Sequence, residues 1–481
     1  MTNISMIRQK ILEQAFRGNL VARNEDDEPV VALLSKIQKE REALIRGKII
    51  KNQKPILPPV QEDEFFYDLP EGWNWVRLRD ICYNFGQKKP DGEFSYIDVT
   101  VIDGVKGVIT NGVKVIEPKD APSRARKIVK NGTVIYSTVR PYLRNIAIVD
   151  REFEFEVIAS TAFAILHAYE GINNKFIYFY LRSDFMKKYV ESKMVGVAYP
   201  AINESEFFMS PFPLPPYEEQ ERIVKKIEEL FSLCDQWERE VEFQQKHTAI
   251  VREKVLADAL QGILVSQSDE DEPASVLLKR VHEEKEELIK SKKMKKEKPL
   301  PSITSEEKIF ELPSGWEWVR LGEVIQLISG QHVVNADYNQ NGEGIPYLTG
   351  PTDFGEIHTV ISKWTTKPKV SVNKGDILIT VKGSGVGKIN ILSEDASIGR
   401  QLMAVQNIIV NQKFLWYILY SNKSNFQSKK VGIAIPGISR EDVLELVIAL
   451  PPLEEQKRIV DKVDKIWEAI NEIESSIVIA K

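Results

Sequence analysis

Two stretches of the first half gather side chains that could grip and read a polyanion. RARKIV (Arg124 to Val129) and STVRPYLRN (Ser137 to Asn145) concentrate Arg124, Arg126, Lys127, Arg140, Tyr142 and Arg144 around the strand-like runs VIYS and IAIV. Arginines projecting from a hairpin turn, with a tyrosine beside them, suit phosphate clamping and bidentate donation to guanine edges. Solvated surface arginines with no ligand are the competing reading. In the second half GQHVVNADYNQN (Gly330 to Asn341) offers Gln331, His332, Tyr338 and Asn339 as base-contacting side chains, and KGSGVGKI places Lys382, Ser384 and Lys388 on a turn whose glycines let backbone approach a ligand closely. Charge separates these segments. Residues 84–150 hold eleven Lys/Arg against seven Asp/Glu, whereas residues 325–403 balance seven against seven.

Several other chemistries are excluded by context. KGSGVGKI looks like a phosphate-binding loop, but Lys382 stands where its first Gly is required and Ile389 follows Lys388 where a Mg²⁺-binding Ser or Thr is needed. It also lies between ILITV and INIL, so a hairpin turn is the expectation and no helix N-terminus is available for phosphate. LPPY (Leu214 to Tyr217) looks like the Pro-Pro-aromatic motif of DNA amino-methyltransferases. That motif needs a preceding Asn or Asp, and Leu214 and Leu450 occupy the place here. No paired-histidine metal motif, hydrolase triad or nuclease-like carboxylate cluster is evident, so the chain reads as non-enzymatic with no cofactor or metal of its own. With only Cys82 and Cys234, a disulfide framework is improbable. No apolar run reaches membrane-spanning length and the N-terminus lacks a secretion signal, from which a soluble cytoplasmic protein is expected.

The elements that must position these residues occur twice. LPPYEEQERIVKKIEELFSLCDQW (Leu214 to Trp237) returns as LPPLEEQKRIVDKVDKIWEAINEI (Leu450 to Ile473). Ile223, Ile227, Leu230, Cys234, Trp237 and Val241 in the first copy, and Ile459, Val463, Ile466, Ile470, Ile473 and Ile477 in the second, recur at steps of four and three. That spacing makes one apolar seam along a helix and asks for a partner helix. Glu218/Glu219 and Glu454/Glu455 fall in the first turn, where the helix dipole favours negative charge. Residues 217–245 hold nine Asp/Glu against four Lys/Arg, so acid belongs to the helices even though the whole chain carries only −5.

Ile7 to Ile45 matches Val251 to Ile289 without a gap, at an offset of 244. Each copy reads as the last turns of a helix, an acidic loop, Pro29 or Pro273 at a first helical position, and a second amphipathic helix. A connector follows, lysine-rich at residues 290–298, which reads as a solvated linker or as a phosphate-contacting strap. LPEGWNWVRL and LPSGWEWVRL then begin a first strand, a helical patch is expected near 173–190 and 411–427, and VGVAYPAI (195–202) and VGIAIPGI (431–438) close the divergent middles. The second long helix stops where the first copy of the repeat begins. The pattern is a circle of two units cut inside one helix, with pseudo-two-fold symmetry and antiparallel helices. The fold class expected is α+β, with two β-rich domains joined by two long antiparallel coiled-coil helices. The boundaries are a helical segment at 1–64, a domain at 65–215, a helical spacer at 216–307, a second domain at 308–450 and a long helix at 451–481.

This doubled set resembles the specificity (S) subunit of type I restriction-modification systems: LPEGWNW and LPSGWEW opening two divergent domains, VGVAYPAI and VGIAIPGI closing them, LPPYEEQERIV and LPPLEEQKRIV starting long helices. The resemblance covers nearly the whole chain. It implies that the divergent middles are target recognition domains, each reading one half of a bipartite site in double-stranded DNA, with the helices fixing the unread spacer. It further implies recruitment of two modification subunits that methylate adenine with S-adenosylmethionine and, through them, restriction subunits driven by ATP and Mg²⁺. Two different reading heads predict an asymmetric site whose halves are centred about one helical turn (~34 Å) apart. A coiled-coil scaffold with two protein-binding domains is the alternative from another class.

Overall fold

A computed structural model describes residues 3–51, 59–196, 199–383, 385–428 and 437–479. The chain divides into two compact units, one running to Glu240 and the other from Val241, and the division falls inside a single helix. Unit 1 opens with α1 (Asn3–Phe16) and α2 (Val30–Arg46). Its sheet-rich part follows as β1 (Asn74–Arg77), β2 (Cys82–Tyr83), β3 (Phe94–Ile97), β4 (Ile102–Asp103), β5 (Val108–Ile109), β6 (Lys114–Ile116), β7 (Ala125–Ile128), β8 (Val134–Ser137), β9 (Ile146–Ile148), β10 (Glu156–Ser160) and β11 (Phe163–Ala168). Three helices, α3 (Asn174–Leu181), α4 (Asp184–Lys193) and α5 (Glu204–Phe208), lead to β12 (Pro211–Leu214) and the long α6 (Tyr217–Leu260).

Unit 2 repeats the order: α7 (Ala274–Lys290), β13 (Glu317–Arg320), α8 (Leu321–Val324), β14 (Ile325–Ser329), β15 (Tyr338–Asn339), β16 (Ile345–Leu348), β17 (Trp364–Thr365), β18 (Ile377–Thr380), β19 (Ile389–Ile391), β20 (Ser397–Ile398) and β21 (Leu402–Asn407). It ends on α9 (Gln412–Ser421), α10 (Lys423–Ser428), α11 (Arg440–Leu444), β22 (Val447–Leu450) and α12 (Leu453–Ile479). The sheets correspond although the middles differ in sequence. One four-stranded sheet runs β2-β11-β8-β9 in unit 1 and β14-β21-β18-β19 in unit 2, and a second contains a parallel pair, β3 with β10 at the centre in unit 1 and β16 with β20 at the edge in unit 2. The expected first strands close each sheet-rich part onto its own end, because β1 pairs with β12 and β13 with β22.

Most of the helix seam is buried as its spacing required: Ile223, Ile227, Cys234 and Val241, and Ile459, Val463 and Ile470, lie in the interior, while Leu230, Trp237 and Ile466 are half-buried. Within unit 1 the first part of α6 runs antiparallel to α1, with Arg8 paired to Asp235 (2.5 Å) and Glu238 (3.1 Å). Within unit 2 the last part of α6 runs antiparallel to α12, with Arg252 on Glu474 (2.9 Å) and Asn471 (2.7 Å). Ile473 departs from the pattern and is half exposed, and the Ile477 side chain lies outside the described residues.

The repeated motifs tie each sheet-rich part to its helix. The Trp73 indole N–H donates to Glu219 Oε2 (3.1 Å) and Trp316 to Glu455 Oε2 (2.9 Å). Glu219 and Glu455 lie in the first turn of their helices as expected, and in addition they are interior hydrogen-bond acceptors whose carboxyl pKa values burial raises. Next in sequence, Gln220 Oε1 accepts from Asn173 N and Gln456 Oε1 from Asn411 N, both at 2.9 Å, and these asparagines cap α3 and α9. Arg222 and Arg458 each grip an acidic-loop aspartate bidentately, Asp27 (3.0 and 2.6 Å) and Asp271 (3.0 and 2.5 Å). At the preceding helix ends, Gly18 and Gly262 adopt φ +73, and a Cβ there would come within 2.3 Å of Pro70 Cγ or 2.4 Å of Pro313 Cγ. Only glycine accommodates both the left-handed turn and that approach.

Two smaller expectations shift. Pro29 and Pro273 sit one residue before α2 and α7 as extended N-caps, so their ring fixes the entry rather than the first turn. The lysine-rich connector is anchored at two points: Met294 is buried and Glu297 pairs with Arg440 (2.5 Å). The WVRL arginines anchor each connector further. Arg77, only 2% exposed, holds Glu64 (2.6 Å) and Pro59 O (3.1 Å), and Arg320 holds Glu307 (2.7 Å) and Pro301 O (3.2 Å).

Candidate nucleic-acid interface

Each unit presents an edge built from the same pieces. Residues 138–145 join the antiparallel pair β8 and β9, and residues 381–388 join the pair β18 and β19, which bears out the hairpin expected for KGSGVGKI. The loops are equally long and start the same way. Thr138 N donates to Ala162 O (2.9 Å) and Val381 N to Gln401 O (2.8 Å), so each loop begins against the turn that precedes β11 or β21. The closing motifs form the other side: Ile202 N donates to Thr138 O and Ile438 N to Val381 O, both at 3.0 Å, with bridges Val139 to Ala201 and Lys382 to Gly437.

This register sets Arg140 against Gly383 and Arg144 against Gly387, and all four residues have left-handed backbone: φ 48, 89, 52 and 82 respectively. Glycine reaches that conformation freely, whereas a residue with a Cβ is penalised by roughly 1–2 kcal/mol. The backbone path needs nothing more than glycine at these positions. Unit 1 holds arginines there at that cost.

The expected residues fall as follows. Arg124 is exposed and its carbonyl accepts from Thr161 N (2.8 Å) on the turn that also holds the loop, so it joins the Arg140 to Arg144 edge. Arg126 is half-buried and donates to Ala125 O (2.7 Å). Tyr142 is 48% exposed, Arg144 pairs with Asp184 (2.7 Å), and the Arg140 guanidinium lies 4.8 Å from the centre of the Tyr199 ring. Lys127 is a correction. Strand alternation along β7 turns it inward, where its ammonium donates to Phe163 O (2.7 Å) and pairs with Glu204 (2.7 Å). A buried, paired ammonium is not available to a phosphate.

In unit 2, Gln331 and His332 are exposed, and Gln331 N donates to Ile398 O (2.9 Å), which brings this segment to the turn beneath the 381–388 loop. Lys382 and Lys388 are exposed at either end of that loop, and Ser384 lies outside the described residues. Tyr338 is on the other sheet, half-buried with its ring 5.6 Å from Tyr347 and its hydroxyl donating to Asn335 Oδ1 (3.2 Å). The Asn339 amide is committed to Glu343 O (2.7 Å) and Trp364 O (3.3 Å), so it serves the local turn and not base reading. Sequence reading passed over two residues. Arg400 is exposed on the turn between β20 and β21, and Tyr199 is 70% exposed beside the first loop. A cation next to Gly399 between two strand-like runs was the available signal for the first. For Tyr199 the signal was an aromatic ring in the otherwise matching VGVAYPAI and VGIAIPGI.

The sequence profile of the type I restriction modification DNA specificity domain matches this chain twice, over residues 70–242 and 313–479. The chain belongs to this family. The specificity subunits of the Escherichia coli type I restriction enzymes EcoAI and EcoEI are each 28% identical to it, over 99% and 98% of this chain and 91% of each relative. Among solved structures, a chain from a type I R-M system described in terms of complex assembly and conformational transition is 32% identical, with a TM-score of 0.70 over 86% of this chain and 95% of that one. The HsdS subunit from Thermoanaerobacter tengcongensis, also 32% identical, gives 0.58 over 86% and 96%. As a specificity-family member the chain carries two DNA specificity domains, and the matched segments contain both loop edges. This decides against the protein-binding scaffold.

Proposed function

We propose that each unit reads one half of a bipartite, asymmetric site in double-stranded DNA, unit 1 through Arg124, Arg126, Arg140, Tyr142 and Arg144, and unit 2 through Gln331, His332, Lys382, Ser384 and Lys388, with Arg400 added and Tyr338 peripheral. The observation that carries this reading is the pair of loops of equal length with matching starts and two matching left-handed positions, one lined by arginine and tyrosine, the other by lysine and glycine. A common frame with different side chains is what two different half-sites require. The long helices set the unread spacer. The near-identical helical motifs of the two units supply two equivalent docking sites, one for each of two modification subunits, with restriction subunits joining through them.

The chain itself contributes recognition and no catalysis. S-adenosylmethionine, ATP and Mg²⁺ act on the partner subunits, in the cytoplasm; among the described residues no helix is long and apolar enough to cross a membrane. A binding selection at fixed salt, using the full-length chain with its modification subunits and random duplexes, should return two short conserved blocks separated by unconserved bases. Recovery of a single block, or of no preferred sequence, refutes the proposal.

A further inference from the structure

Arg140 and Tyr199 belong to segments about sixty positions apart in sequence and meet at one exposed edge. The Arg140 backbone N–H donates to Pro200 O (2.8 Å), next to Tyr199, and a β-bridge joins Val139 to Ala201. The guanidinium then lies 4.8 Å from the centre of the Tyr199 ring. Neither feature serves the interior: the ring is 70% exposed and Arg140 holds a left-handed conformation that its counterpart in unit 2 meets with Gly383. The match of the two closing motifs sets Ile435 opposite Tyr199, so ring and guanidinium are absent together from the second unit's sequence. Tyr142, also exposed, is two residues away on the same loop.

We propose that Arg140 and Tyr199 act as one reading pair, in which the ring holds the guanidinium flat so that its N–H edge donates to O6 and N7 of a single guanine in the half-site read by unit 1. Arginine is suited to this because its fork of donors matches the two acceptors on the guanine edge, and its planar face packs on an aromatic ring without using those donors. Tyr199 is the positioning residue and Arg140 the contact residue. The proposal rests on the DNA-reading function above.

The test uses the full-length chain assembled with its modification subunits. The preferred bipartite site of the unaltered complex is found by selection, and affinities are then measured at one salt concentration for duplexes carrying each single base-pair change. Arg140→Ala is expected to lower discrimination by about 10- to 100-fold at one G·C pair of one half-site. Tyr199→Ile should lower it about two- to fivefold at that same pair, and Tyr199→Phe, which keeps the ring, should leave it unchanged. Preferences in the other half-site are the internal control for folding and should persist in all three variants. The proposal is overturned if Arg140→Ala and Tyr199→Ile weaken every duplex equally, alter different base pairs or alter none, or if Tyr199→Phe is as damaging as Tyr199→Ile. If the unaltered complex selects no sequence, the DNA-reading function itself fails, which is a separate result.

Discussion

The Trp73 to Glu219 contact separates two accounts of the EEQ motif, as surface charge at a helix start or as an interior acceptor. Glu219 is 3% exposed and its carboxylate takes the indole N–H at 3.1 Å. Removing the acceptor with Glu219→Ala leaves a buried N–H without a partner, which costs about 1–3 kcal/mol. For a unit of this size, 1 kcal/mol is about 2–4 °C of melting temperature, so the loss should be about 2–12 °C. Glu219→Gln retains a carbonyl acceptor and removes a charge that burial disfavours. Because the folded-state pKa is raised, chiefly by desolvation and against the opposing pull of Trp73 and Arg222, folding favours the protonated carboxyl. That contribution is fully present below the unfolded-state pKa and is lost as pH rises through the folded-state value. The glutamine variant should therefore match the unaltered chain near pH 4 and equal or exceed it near pH 8, and Glu455→Gln should behave alike in unit 2. Thermal denaturation of the full-length chain followed by calorimetry at both pH values reads this directly. Glutamine costing as much as alanine, or losing stability relative to the unaltered chain as pH rises, would refute the interior-acceptor account.

Three further outcomes follow from the placed charges. Glu64 and Glu307 have pKa values lowered, first by their hydrogen bonds to the buried Arg77 and Arg320, so their stabilisation is present above the unfolded-state carboxylate range and lost as pH falls through the depressed folded value. Acid unfolding should thus begin at higher pH in Glu64→Gln and Glu307→Gln variants, and an unmoved acid midpoint would contradict it. Lys127→Ala should cost about 1–3 kcal/mol of stability through the lost Phe163 and Glu204 contacts while leaving the salt dependence of DNA binding intact. Arg124→Ala should do the reverse, reducing the slope of log affinity against log salt by about one; a changed slope for Lys127→Ala would return that residue to the DNA surface.

The alternation of β7 shows where reading a sequence stops. Strand-forming residues and Gly turns made the hairpins around Arg140 and Lys382 legible, and heptad-like spacing made the α6 and α12 seams legible, because both depend on local sterics and on a period set by backbone geometry. Which face of β7 points inward depends on its pairing with β10, where the register shifts between Ala159 and Ser160. RARK looks uniformly basic along the chain, yet Lys127 goes inside and Arg124 stays out. The same limit applies to the EEQ motif: two adjacent glutamates at a helix start look equivalent until Trp73, 146 residues earlier, takes one of them.

By itself, the sequence determined the doubled pattern of elements, the seam of each long helix and the family, since repeats and periodicities are properties of the chain read along its length. Tertiary structure alone decided that the 138–145 and 381–388 loops start on matching hydrogen bonds and share two left-handed positions, that arginine occupies such positions where glycine would suffice, and that Tyr199 meets Arg140. Those facts rest on hydrogen bonds between segments far apart in the chain, and no local propensity encodes which distant carbonyl a given N–H will find.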